Sequence, residues 1–141
     1  MFVLDADVVS ELRKVRAGKA DPGVPEWASE APSGQMFVSS ITIHELEHGV
    51  LLDERADPPK GAMLRRWLDD SVAAAFDYRV LPVDADIARR AAALQVPDPA
   101  PFRDALIGAT ALVHRMTLVT RNAQGFARFD ALDWMNPWQT S

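Results

Sequence analysis

Short apolar runs alternating with helical stretches predict an α/β fold, with a central, mostly parallel sheet of four to five short strands and helices on both faces. Three observations carry this prediction. The runs Met1–Asp5, Met36–Val38, Val80–Val83 and Thr117–Thr120 are too short for helices and end in acids, serines or other polar residues. The first three are each followed by a segment with apolar residues at helical spacing. With 141 residues, 48% of them hydrophobic, the chain is sized to bury one real core, so residues 1–141 are expected to form a single domain.

The elements follow in order. Phe2-Val3-Leu4 reads as a buried strand ended by Asp5. A helix is predicted from Val8 to about Val15, with Asp7 as its N-cap. Gly18, Pro22, Gly23 and Pro25 mark a loop, Glu26–Glu30 a short helix, and Pro32-Ser33-Gly34 another loop. After the Met36–Val38 strand, Ser39 and Ser40 precede a helix from about Ile41 to Leu52. Pro58-Pro59 separates it from a helix over Lys60–Phe76, with Met63, Leu64, Trp67, Leu68 and Val72 on its apolar face. Val80–Val83 is the third strand, and Asp84 starts a helix to about Leu94. The three prolines of Val96–Pro101 require a loop. Asp104–His114 is a strongly apolar helix, Thr117–Thr120 the fourth strand, and Ala131–Trp134 a last apolar piece.

Composition excludes several classes. The formal net charge is −5, which argues against passive coating of nucleic acid but not against an enzyme that meets a phosphodiester through ions held by carboxylates. The chain has no cysteine, so disulfides and thiolate metal sites are ruled out, and a cytoplasmic location is expected. Asp5 interrupts the first apolar run too early for a signal-peptide core. No window approaches the roughly 20 apolar residues of a membrane span.

The stretch ITIHELEHGV holds His44-Glu45-Leu46-Glu47-His48, formally the H-E-x-x-H pattern of zinc proteases. A zinc site also requires a third protein ligand. The residues after His48 lack the extended motif, Glu54 is the last glutamate, and His114 is the only other histidine. Only a remote Asp could complete the site, and two histidines on a solvated helix face are the simpler account.

A scattered set of polar residues offers different chemistry. Ligands of open α/β sheets gather at the carboxyl ends of strands and the starts of helices. Asp5 ends the first strand, Glu45 lies early in the helix after the second, Asp104 opens the apolar helix, and Thr120-Arg121-Asn122 follows the last core strand. Clustered carboxylates suit hard divalent cations such as Mg²⁺ or Mn²⁺, which neutralise phosphodiester charge and activate water. Each residue also has a structural account. Asp5 could be a turn residue, Glu45 the partner of Thr42 in a capping box, Asp104 a favourable residue at a helix start, and Asn122 a turn former. The argument for a site rests on their order and combination.

Those residues carry a resemblance. VLDADVVSEL resembles the opening block of PIN-domain ribonucleases, in particular the VapC-like toxins and the similar FitB group, with Ala6 and Asp7 in place of the usual Thr-Asn. SSITIHELEHGV is similar to the second block, and DALIGATALVHRMTLVTRN to the third. The ending NPW matches the FitB-like branch. The resemblance spans nearly the whole chain and implies a PIN-like fold and a Mg²⁺- or Mn²⁺-dependent endoribonuclease.

Carried over residue by residue, it makes Asp5, Glu45 and Asp104 the metal-binding acids, with Thr120 and Asn122 supporting the site and its water. Asp5 and Asp104 would hold the ion most directly, and Glu45 directly or through water. The family often has a fourth acid at Asn122 or three residues on, where this chain has Gly125, which puts a full second metal site in doubt. The resemblance further implies the toxin of a type II toxin–antitoxin module, acting on RNA. A cognate VapB-like antitoxin would fill an apolar groove and insert a basic side chain among the acids. DNA would be contacted only through the antitoxin, and a homodimer is expected. The alternatives are a catalytically degenerate PIN module that binds antitoxin or RNA without cleavage, and the zinc protease.

Overall fold

A computed structural model describes residues 1–138. At the centre of its sheet lies β1 (Phe2–Leu4), paired in parallel with β2 (Met36–Ser39) on one side and β4 (Thr117–Val119) on the other. Beyond β2 comes β3 (Val80–Leu81), and beyond β4 comes β5 (Trp134–Met135), giving a five-stranded order β3-β2-β1-β4-β5 with every pairing parallel. The strand order reverses between β1 and β4, and such a switch point opens a crevice at the carboxyl ends of the strands.

Alternation along the strands sends neighbours to opposite faces. Leu4 and Val119 pack into a cluster with Val8 and Val9 of α1 (Ala6–Arg16), Trp27 of α2 (Gly23–Glu30), Leu46 and Val50 of α3 (Ser40–Ala56) and Leu64 of α4 (Pro58–Arg66). Val3 and Leu118 meet Ile107 and Ala111 of α7 (Phe102–His114) and Phe126 of α8 (Ala123–Phe126) on the other face. Helix α6 (Ala85–Leu94) packs Ile87 and Ala91 against Ala105, Leu106 and Ala109 of α7. Eight consecutive residues of α7, Asp104–Ala111, are buried, the mark of a helix enclosed on all sides rather than laid on a surface.

Helix boundaries differ from the sequence pattern in instructive ways. The N-cap of α1 is Asp5, not Asp7, because β1 turns straight into the helix and Asp7 falls in its first turn. Ser39 caps α3 by accepting from the Ile41 N–H, so Thr42 does not cap and Glu45 is no capping-box partner. Helix α3 continues to Ala56 and is stopped by Pro58-Pro59, since a residue before proline is pushed out of the helical region. The apolar stretch after Pro58 is not one regular helix: α4 widens into a π-helical segment, Trp67–Val72, before a last turn, α5 (Ala73–Ala75). Strand β3 ends at Leu81 because Pro82 lacks an N–H for the ladder. Helix α7 begins at Phe102, which places Asp104 inside its first turn.

Candidate active site

Asp5 is where β1 hands over to α1, and both carboxylate oxygens are committed. Oδ1 accepts from the Ala6 N–H at 2.8 Å, and Oδ2 accepts from the Thr120 hydroxyl at 2.8 Å. The residue is 1% exposed. Thr120 follows β4, hangs from the Met135 carbonyl through its own N–H (3.0 Å), and also accepts from the Asn122 N–H at 3.0 Å. The neighbouring strands β1 and β4 thus deliver a buried carboxylate and the hydroxyl that fixes its rotamer.

Glu45 reaches the same point from α3 and Asp104 from α7. What joins them is Arg103, a residue that the sequence reading passed over. Its Nε donates to Glu45 Oε1 at 2.6 Å, its Nη1 to Asp104 Oδ1 at 2.7 Å, and its Nη2 to Asp5 Oδ1. Three acids far apart in the chain therefore converge on one guanidinium. Burial pushes the Glu45 carboxyl above its ordinary value, and Arg103 pulls it part of the way back. Burial works against the charge on Arg103, but Asp5, Asp104 and Glu45 hold it firmly protonated, above the ordinary arginine range. The signal in the sequence was a base directly preceding a candidate metal acid, Arg103-Asp104.

Asn122 stands at the edge of this group. It caps α8, its Oδ1 accepting from the Gly125 N–H at 3.2 Å, and it makes no hydrogen bond to the three acids. Gly125 is the close approach between them: a Cβ there would lie 2.5 Å from Asn122 Nδ2 and 2.9 Å from Asp104 Oδ2. Asp7 has another task. Its Oδ2 accepts from the Arg121 N–H at 3.2 Å and so holds the turn after β4. Burial and the Asp5 charge push its carboxyl up to about 6. The NPW segment closes over the same turn, with the Arg121 guanidinium 5.2 Å from the Trp138 ring and the Asn136 amide donating to the Arg121 carbonyl at 3.4 Å.

His44 and His48 are exposed on α3, their rings 6.1 Å apart, and among the described residues no third ligand joins them. The zinc site therefore lacks the coordination it requires. From Glu45 a groove of about 330 Å³ runs between α1, α3 and α4, lined by Asp7, Ser10, Arg13, Asp53, Lys60 and Trp67. It shares Arg13 and Trp67 with an apolar groove of about 220 Å³ lined by Val9, Leu12, Val72 and Phe76.

The donor set suits a hard divalent cation: carboxylate oxygens without sulfur or imidazole, all directed at one positive group. Their spacing fits a guanidinium. Among the described residues no three His, Asp or Glu side chains are close enough to grip a single ion as they stand.

A PIN domain family model matches residues 2–132. The chain belongs to the PIN-domain family. Ribonuclease VapC14 of Mycobacterium tuberculosis is 43% identical over 77 residues, covering 55% of this chain and 72% of that protein. VapC ribonuclease Y4jK of Sinorhizobium fredii is 32% identical over 99% of both chains. The crystal structure of FitAcB from Neisseria gonorrhoeae, the organism of the toxin FitB, superposes with a TM-score of 0.88 at 28% identity, covering 99% of this chain and 100% of that one. The PIN fold and its parallel sheet are those read from the sequence motifs.

Proposed function

We propose that this chain is the toxin of a type II toxin–antitoxin module, a Mg²⁺- or Mn²⁺-dependent endoribonuclease that hydrolyses RNA phosphodiester bonds. The observation that supports it most is the meeting of the Asp5, Glu45 and Asp104 carboxylates around the Arg103 guanidinium, at the switch point of a PIN sheet. The ribonuclease relatives support the substrate class.

When bound, the divalent ion supplies charge neutralisation at the phosphate and a more acidic water. Asp5 and Asp104 would hold it, and Glu45 would do so directly or through water. Thr120 keeps Asp5 in one rotamer. Asn122 fixes the α8 turn beside Asp104 and offers its amide to the site's water. The first turn of α7, with its free N–H groups, favours the approach of phosphate.

A cognate VapB-like antitoxin blocks this site and lies along the apolar groove of Val9, Leu12, Val72 and Phe76. DNA is bound only through that partner, the protein works as a homodimer, and it acts in the cytoplasm. No helix among the described residues is long and apolar enough to cross a membrane.

The deciding experiment is cleavage of a broad RNA panel with Mg²⁺ or Mn²⁺ by the wild type and Asp104→Asn. Cleavage lost in the variant is the expected outcome. Equal inertness of both, with RNA or antitoxin still bound, would instead favour a degenerate binding module. The absence of an acid at Asn122 and Gly125 is what keeps that second reading in view.

A further inference from the structure

The guanidinium of Arg103 takes one nitrogen to each of the three acids, and these are the only salt bridges that Asp5, Glu45 and Asp104 make among the described residues. The oxygens involved matter. Asp5 Oδ2 is turned into the core and held by Thr120, which leaves Oδ1 as the oxygen directed at the site, and Arg103 holds that one. On Asp104 and Glu45 the guanidinium likewise takes a carboxylate oxygen that faces the cluster. A small ion requires oxygens at about 2.0–2.1 Å. It cannot share Asp5 Oδ1 and the centre of the cluster with a guanidinium, which spreads its contacts over a plane several ångströms wide.

We propose that Arg103 is a resident counter-cation: it occupies the place of the divalent ion and swings out when the ion enters, so that it sets the metal concentration at which the site is loaded. This rests on the metal-dependent reading above. Two features make the exchange feasible. The Arg103 side chain is 32% exposed and that of Glu45 31%, against 2% for Asp5 and 9% for Asp104, so the cation lies with Glu45 on the solvent side of the cluster and has a way out. Charge also favours exchange, because three carboxylates are neutralised better by a divalent ion than by one guanidinium. Without either cation the acids would repel one another across a few ångströms. Arg103 thus keeps the site assembled until the ion replaces it. Its place on the first turn of α7, next to Asp104, tethers it at the mouth after release.

The test is Mn²⁺ affinity of the full chain, by calorimetry or by electron paramagnetic resonance of free Mn²⁺, for the wild type, Arg103→Gln, Arg103→Lys and Asp104→Asn. A competing ligand coupled to the ion by an ordinary interaction energy predicts Mn²⁺ binding roughly tenfold to a hundredfold tighter in Arg103→Gln. Arg103→Lys, a single ammonium that cannot fork to three acids, should fall between the two. Asp104→Asn should bind more weakly than wild type, which ties the measured ion to this site. Unchanged or weaker binding in Arg103→Gln, with Asp104→Asn still impaired, would overturn the counter-cation while sparing the metal site. No Mn²⁺ binding by wild type or Arg103→Gln would overturn both. If Arg103→Gln does not fold, Arg103→Lys decides: an affinity equal to wild type refutes the proposal.

Discussion

Thr120→Val tests how the central acid is held. The substitution keeps shape and burial, since Thr120 is fully buried, and removes only the hydroxyl. Asp5 Oδ2 then loses its single donor inside a side chain that is 2% exposed, so water cannot easily replace it. A hydrogen bond to a charged group contributes about 1.5–3 kcal/mol, and leaving the partner buried and unpaired puts the cost in the upper part of that range. The Asn122 N–H also loses its acceptor, but it is only partly buried and water can serve. The extra methyl returns under about 1 kcal/mol of apolar burial. The net expectation is a loss of about 2 kcal/mol, or about 6–8 °C in Tm for a domain of this size.

Urea denaturation followed by circular dichroism measures it, with the midpoint falling at constant m. Thr120→Ser keeps the hydroxyl and should recover most of the loss. In an Asp5→Asn background the penalty should shrink by more than about 1 kcal/mol, because the charge that made the bond strong is gone. A Thr120→Val protein within about 0.5 kcal/mol of wild type, with no coupling to Asp5→Asn, would refute the reasoning.

Three further outcomes follow from the same geometry. Gly125→Ala brings a Cβ to 2.5 Å from Asn122 Nδ2 and 2.9 Å from Asp104 Oδ2, so both side-chain ends must move; RNA cleavage should fall at least about tenfold, while stability, measured by urea midpoint, changes by only about 1 kcal/mol. Asp7, pushed up to about 6, binds more protons folded than unfolded between about pH 4 and 6, so its own contribution to stability falls across that window as pH rises. Asp7→Asn should flatten this slope in metal-free protein and be more stable by about 1 kcal/mol at pH 7.5, after discounting for partial exposure, with the gain vanishing below about pH 4. His44→Ala and His48→Ala should leave cleavage within about twofold of wild type, both rings being exposed and without a third ligand among the described residues; a large loss in either would reopen the zinc reading.

Strand and helix identity was legible wherever local pattern and tertiary role agree. Phe2-Val3-Leu4 and Thr117–Val119 are short apolar runs, and they pair as the two central parallel strands. The boundaries that slipped depend on geometry that a pattern does not carry. Asp5 rather than Asp7 caps α1 because the strand leaves no linker, and the helix after Pro58 widens at Trp67 where no residue type announces it. At the site, Asp5 and Asp104 were visible at a strand end and a helix start, and Glu45 as an acid early in the helix after β2. Arg103 was not, since an arginine on the first turn of a helix looks like a solvated surface residue until three chain-distant carboxylates are folded around it. The capping role of Asn122 and the anchoring role of Asp7 likewise depend on backbone N–H groups, which a sequence does not place.

The pairing of β1 with β4 also sets a schedule. Synthesis proceeds from the amino end, so Asp5 and Glu45 emerge early, but Asp104 comes later and Thr120 later still. Until Thr117–Val119 emerge, β1 has an open edge on that side and Asp5 has no hydroxyl to hold it. Contacts that span more than a hundred residues form only after the intervening loop entropy has been overcome. A ribosome partway through this message therefore carries a chain whose three-acid cluster still lacks Asp104 and the hydroxyl of Thr120. The meeting of Asp5, Glu45 and Asp104 at Arg103 is thus among the last parts of the fold to be assembled.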